Sequence, residues 1–243
     1  PWFEQCMASI RAQTYKDIEL IVIDDPQASG PAAARNRGLE LAKGEFVMFC
    51  DDDDFLEPHS VARLVEVSEG VDLVAGSFRK IGLFEMIVQH ETETLSMPQV
   101  AEYVMDNLEN PRTNQMFSGC WAKLFRRSMV GRFPELTTAE DMAFNFDYLC
   151  RCRRVRFISD IAYNNRKRDG SLTTTFDEKN KMGLFGFMQG LRRTEKFLQR
   201  FYGEDTLKSA LDNSKLYHSL LYFSRICAQT GGTPREAFLK LYP

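Results

Sequence analysis

The sequence of 243 residues predicts the α/β class: an open, mostly parallel sheet flanked by helices, followed by a helical C-terminal extension. Three observations carry this. Short apolar runs alternate with segments of helical period, the pattern of a parallel sheet with crossover helices. Two of those runs end in carboxylates, as strands do where an open sheet presents its ligand-binding edge. Beyond about residue 176 the strand pattern disappears and only helical spacing remains.

Taken in order, Trp2, Phe3, Cys6, Met7 and Ile10 recur at three- and four-residue steps and predict a first helix. The run Glu19-Leu20-Ile21-Val22-Ile23 reads as a buried strand ending in Asp24-Asp25. Residues 31–43, rich in alanine and followed by Gly44, predict a helix with its stop. Residues 46–50 read as a strand buried on both faces, and residues 59–67 as a helix. A third strand is expected at 71–75, mixed β structure at 78–93, a helix at 97–108, and a short strand or turn at 119–125. A helix at 137–152 and a strand at 155–158 follow. Residues 163–175 are polar, basic and glycine-containing, and read as a mobile loop. The remainder is helical, with Leu184, Met188, Leu191, Leu198 and Phe201 on one face and Arg192, Arg193, Lys196 and Arg200 outside it.

Composition excludes several classes. The chain is 44% hydrophobic and 27% charged, enough for one sizeable domain or a domain with an appendage. A net charge of -3 gives no global field for nucleic acid. Six irregularly spaced cysteines read as reduced cytosolic thiols, and three histidines (His59, His90, His218) make a histidine-rich metal site improbable. No apolar stretch approaches about 20 residues, so no membrane span is expected, nor a signal peptide.

The densest chemical signal is Asp51-Asp52-Asp53-Asp54, directly after the apolar run at 46–50. Two unit charges about 4 Å apart repel by roughly 1 kcal/mol in water and roughly 4 kcal/mol near a protein surface. A divalent cation is the simplest offset. Hard oxygen ligands without nearby His or Cys suit Mg²⁺ or Mn²⁺. Helix capping and solubility are the competing explanation for such a loop.

In this order and spacing the blocks resemble the family 2 glycosyltransferases, inverting sugar-nucleotide-dependent enzymes of the GT-A fold. Residues 9–15 followed by Ile21-Val22-Ile23-Asp24-Asp25 are similar to the family's first helix and second strand. Ala33-Ala34-Arg35-Asn36-Arg37-Gly38 with Lys43-Gly44-Glu45 is similar to its next helix. Asp51-x-Asp53 with Asp54 stands where its DxD motif belongs, and Trp121-x-Lys123-Leu124-Phe125 and Glu140-Asp141 fit its acceptor-side blocks. The resemblance covers about residues 1–175, with a nucleotide-sugar half at about 1–78 and an acceptor half at about 79–175. Residues 176–243 form the helical extension. Two departures stand out. The family opens with a strand that helps hold the nucleotide base, which is absent here, and its segment corresponding to 26–30 is much longer.

The resemblance implies a role for each matched residue. Asp53 is the direct metal ligand and Asp51 supports the metal, directly or through water. Asp52 contacts the ribose or phosphate side. Asp24 and Asp25 belong to the nucleotide site, with Asp25 on the base, although a turn-forming Asp explains it as well. Arg35 and Asn36 are candidates to line base and sugar, or are exposed helix polars. Asp141 is the general base and Glu140 orients the loop or meets the acceptor, although residues 137–141 also read as a capping box. Trp121 is a candidate for stacking on an acceptor sugar, or a core residue. Arg166 and Arg168, in a basic loop, are candidates to close over the diphosphate. The implied reaction is metal-assisted transfer from a nucleotide-diphosphate sugar, UDP-linked by preference, to a glycan or lipid-linked acceptor of cell-surface polysaccharide. It would take place in the cytoplasm, with the basic face of the 180–200 helix offered to the inner membrane surface. A haloacid-dehalogenase-type phosphatase shares the acidic motif but needs a later Gly-Asp-x-x-x-Asp, which is not found. A degenerate sugar-nucleotide-binding module is the non-enzymatic alternative.

Overall fold

The computed structural model describes residues 1–25, 27, 29–111, 117, 119–136, 139–167, 178–230 and 233. Helices α1 (Trp2–Arg11), α2 (Pro31–Leu41), α3 (Ser60–Glu66), α4 (Met97–Glu109), α5 (Glu140–Leu149), α6 (Glu178–Leu198) and α7 (Glu204–Thr230) accompany strands β1 (Phe46–Val47), β2 (Leu73–Ile81), β3 (Glu85–Val88), β4 (Glu93–Ser96), β5 (Lys123–Arg126) and β6 (Arg154–Arg166). The strands form one sheet in the order β1-β5-β2-β6-β4, with β3 added to β2.

The centre of the sheet is the parallel pair β2–β6. The other pairings are antiparallel, so the sheet is mixed rather than mostly parallel. Gly76 lets β2 and β6 approach: a Cβ there would lie 2.6 Å from Ala162 Cβ, where the register shifts. Side chains alternate across the sheet with period two. Leu73, Ala75, Phe125, Val155 and Phe157 face a core shared with α4, α5, α6 and α7. Val74, Phe78, Leu124 and Ile158 face a second core with Leu64 of α3, Trp121 and Tyr163. The C-terminal helices contribute Phe187, Leu191, Leu198 and Leu207 to the first core, so they pack as part of it. No helix among the described residues is long and apolar enough to cross a membrane.

Several expectations are corrected. Residues 19–23 run without any ladder partner among the described residues, with Leu20 43% and Val22 53% exposed, so the buried strand does not form. An apolar run becomes a buried strand only when neighbouring chains satisfy both its edges and its faces. Residues 46–50 are half-buried, and only Phe46–Val47 pairs, with β5 on one side. At the other end, β6 continues through Tyr163 to Arg166, so the expected loop is in part a central strand. Residues 168–175 lie outside the described residues.

Candidate active site

The site is assembled where α1, α2, α5 and the end of β6 meet the acidic turn. A cleft of about 3110 Å³ is lined by Asp25, Arg35, Asp51, Asp53, Glu140 and Asp141 among others. It exceeds the roughly 300–1,000 Å³ usual for a ligand pocket. Residues 19–23 and 46–50 both line it, and among the described residues no ladder joins them.

The four aspartates do not continue a strand. They form a turn closed by Asp54 N–H donating to Asp51 O at 3.2 Å, which sorts their side chains. Asp51 Oδ1 accepts from Arg35 Nη2 at 3.0 Å, and its N–H donates to Tyr163 Oη at 2.9 Å. Asp54 is fully buried and accepts from Arg166 N (2.7 Å) and Asn165 Nδ2 (3.0 Å). Burial pushes its pKa up to about 6 against those hydrogen bonds. Asp54 therefore anchors the turn to β6. Asp52 is exposed and Asp53 half-buried. This division answers the repulsion foreseen from the sequence: an arginine and two β6 donors take two of the four carboxylates.

Opposite stands the N-terminus of α5. Ala139, its N-cap, has a left-handed backbone (φ 60°), which costs a non-glycine residue energy and turns Glu140 and Asp141 into the cleft. Alanine has no side-chain cap to offer, and Thr137 and Thr138, the expected capping-box residues, lie outside the described residues. Glu140 Oε1 accepts from Arg35 Nη1 at 2.6 Å. Asp141 Oδ1 accepts from the N–H of Met142 at 2.7 Å. Burial first, and then the Glu140 charge, push the Asp141 carboxyl up to about 7, while the Arg35 charge opposes them. A carboxyl in that range can take up a proton near neutrality.

Most of the remaining predicted residues are engaged by neighbouring groups. Asp25 accepts from Arg37 Nη2 (2.9 Å) and Gly30 N (3.0 Å), and the Arg37 bond holds its carboxyl below the usual value. Asp24 is exposed beside it. Asn36 is buried and uses both ends of its amide on Phe133, donating to O at 3.0 Å and accepting from N at 2.8 Å, so it is a packing residue rather than a sugar contact. Trp121 is 6% exposed, stacked on Tyr163 at 5.1 Å and met edge-on by Phe78 at 4.5 Å, so most of its ring is engaged in packing. Arg166 is a brace: it donates to Asp53 O at 3.1 Å and Gln5 Oε1 at 2.6 Å and lies over the Phe55 ring. Arg168 lies outside the described residues.

Two residues gain roles that sequence reasoning did not give them. Tyr163 positions the Asp51 backbone. Lys123 is buried and donates to Gly119 O (2.6 Å) and Trp121 O (3.2 Å), with burial lowering its pKa to about 8. Only the proximity of Lys123 to Trp121 within one matched block hinted at either.

The chain is similar to known glycosyltransferases. The model of glycosyl transferase family 2 matches residues 26–132. EpsH of Bacillus subtilis is 27% identical over 256 residues, covering 90% of this chain and 71% of EpsH. EpsJ, an uncharacterised glycosyltransferase of the same organism, is 27% identical over 208 residues, covering 71% of this chain and 59% of EpsJ. The crystal structure of S. aureus TarS residues 1–349 matches with a TM-score of 0.66 at 16% identity, over 99% of this chain and 74% of that one. Its complex with UDP-GlcNAc matches with a TM-score of 0.62, over 99% of this chain and 84% of that one. The expected likeness to the family 2 glycosyltransferases and the GT-A fold are both borne out.

Proposed function

From a chain related to glycosyl transferase family 2 and folded as GT-A, we propose an inverting glycosyltransferase that moves a sugar from a UDP-sugar to a hydroxyl of a glycan or lipid-linked acceptor of cell-surface polysaccharide. The observation that carries the reading is the convergence in one cleft of the acidic turn and the raised carboxyl of Asp141, joined through Arg35. Asp141 takes the acceptor proton, which turns the hydroxyl into a nucleophile in the transition state. Glu140, held by Arg35, fixes the start of α5 and so the position of Asp141. Asp25 and Asp24 serve the base end of the donor, Arg35 and Asp52 the sugar and ribose side.

A divalent cation fits the donor chemistry of the turn. Among the described residues no group of three or more His, Cys, Asp or Glu forms a cage. Mg²⁺ and Mn²⁺ commonly take one or two carboxylates together with substrate phosphates. Asp53 and Asp51 would hold it. When bound, the ion supplies charge neutralisation to the departing diphosphate. The UDP-GlcNAc complex of TarS supports a UDP-sugar donor. The basic side chains Arg192 and Lys196 of α6, with Arg200 just beyond its end, would meet an anionic membrane surface facing the cytoplasm.

The test is UDP release from a panel of UDP-sugars with Mn²⁺, with and without oligosaccharide or polyprenyl-phosphate-linked acceptors. Acceptor-dependent release that Asp141→Asn abolishes without changing the fold is the expected result. Wild-type turnover in that variant refutes the base assignment. The unpartnered stretch at 19–23 favours one second reading, a module that binds the nucleotide sugar without turnover; binding with no release in any combination would select it.

A further inference from the structure

Two thiols lie under the acidic turn, and the proposed chemistry uses neither. Cys6 is buried on α1, and Cys50 immediately precedes Asp51. Their Sγ atoms are 3.7 Å apart although 44 positions separate them in sequence. Both are within reach of the Asp51 carbonyl oxygen, at 3.5 Å from Cys6 and 3.7 Å from Cys50. A disulfide needs about 2.05 Å, so closing the pair takes a sulfur movement of roughly 1.7 Å, the scale of a rotamer change. Both residues line the open cleft, which gives a small oxidant access. Other cysteines are placed differently: Cys120 is fully buried, and Cys152 donates to the Tyr148 carbonyl.

We propose that Cys6 and Cys50 are a modification site at which a peroxide-class oxidant closes a disulfide, and that the closed bond shuts down the neighbouring active site. One sulfur attacks a peroxide oxygen and the O–O bond breaks, leaving a sulfenic acid and one water. The second sulfur attacks the sulfenic sulfur, the S–O bond breaks, and a second water leaves. Two thiols and one hydrogen peroxide thus become one disulfide and two waters. Each sulfur loses one electron, and the peroxide oxygens take both.

The consequence for the site follows from what surrounds the pair and rests on the function proposed above. Both S–H hydrogens depart, so the Asp51 carbonyl loses those donors. The new bond ties α1 covalently to the residue before Asp51. Gln5, beside Cys6, accepts from Arg166, which in turn donates to Asp53 O. A shift of α1 therefore reaches both candidate metal ligands.

The experiment uses the full chain, treated with hydrogen peroxide, then mapped by mass spectrometry without reduction. A Cys6–Cys50 linked peptide lighter by two hydrogens is expected. Transfer should fall by about an order of magnitude and recover with dithiothreitol. Cys6→Ser should keep the untreated rate and lose the sensitivity, with Cys50→Ser as the second variant should the first fail to fold. Free thiols at both positions after treatment overturn the site. A linked peptide with an unchanged rate and an unchanged UDP-sugar-induced melting shift overturns the shutdown. Should the untreated chain transfer nothing, the proposed function fails on its own account, while the linked peptide and the melting shift still decide this inference.

Discussion

Arg35 Nη1 lies 2.6 Å from Glu140 Oε1, joining α2 to α5 across 105 positions of sequence. The two side chains are 14% and 8% exposed. The second guanidinium arm takes Asp51, so one planar fork spans the cleft. Removing one partner of such a pair leaves the other charge buried without compensation, at a cost of about 3–5 kcal/mol. Arg35→Met should lose stability of that order in urea unfolding. Arg35→Lys should recover little of it, because a single ammonium cannot serve two carboxylates with the same geometry. A loss below about 1 kcal/mol, the range of exposed pairs, would show that the bridge is open to solvent.

The same guanidinium shapes the pH dependence. Burial pushes the carboxyl of Asp141, the proposed base, up to about 7, and a base must be ionised to take a proton. Transfer should therefore rise tenfold per pH unit below neutrality and level off above about 7. Because the Arg35 charge opposes the upward shift, Arg35→Met should move the rise to higher pH. A profile flat from pH 5 to 8 counts against Asp141 as the base.

Stability carries the opposite sign. A carboxyl raised from 3.8 to about 7 binds its proton more tightly in the folded chain than in the unfolded one. Its contribution is full below about pH 4 and is lost as pH climbs through about 7. Asp54, at about 6, adds to the same decline. Asp141→Asn removes the ionisation, so the variant should be inactive yet lose less stability than the wild type between pH 5 and 8. Parallel declines in melting temperature would contradict the raised pKa.

How much of this was legible in the sequence depends on how local the cause is. The helices and the starts of the two central strands declared themselves through their apolar pattern, because burial is written into neighbouring residues, while the far ends of β2 and β6 did not. Residues 19–23 misled for the converse reason: their apolar run says only that they suit burial, and burial requires partners the run itself does not supply. The candidate site was legible as residue types and only partly as geometry. Asp51 and Asp141 could be named, but the Arg35 bridge that joins their two sides spans too great a separation to leave any spacing signal. Asn36 and Trp121 looked functional because polar and aromatic side chains serve sites and cores alike. In the fold both are buried, Asn36 against Phe133 and Trp121 against Tyr163.

Trp121 illustrates how that difference is measured. Stacked on Tyr163 within the second core, it should behave as packing. Trp121→Ala should cost about 3–5 kcal/mol, as large-to-small core changes do. At a temperature where the variant is folded, its KM for acceptor should stay near the wild-type value. A raised acceptor KM with unchanged stability would restore the sugar-stacking role.

The acidic turn allows a sharper separation, because its members differ in what they touch. Asp54 is spent on Arg166 and Asn165, so Asp54→Ala leaves two β6 donors without their acceptor in a buried place. Buried unsatisfied polar groups cost about 1–3 kcal/mol each, so that variant should lose stability even without ligand. Asp53 is half-buried at the cleft and proposed to hold the cation, so Asp53→Asn should be read by its response to ligand rather than by its ligand-free melting. A ligand bound only by the folded chain raises the melting temperature, and the rise reports its affinity. With UDP-sugar and Mn²⁺ present, the rise seen for wild type should therefore vanish in Asp53→Asn. A mild change at Asp54 together with a retained shift at Asp53 would mean that the two carboxylates have been assigned to each other's work.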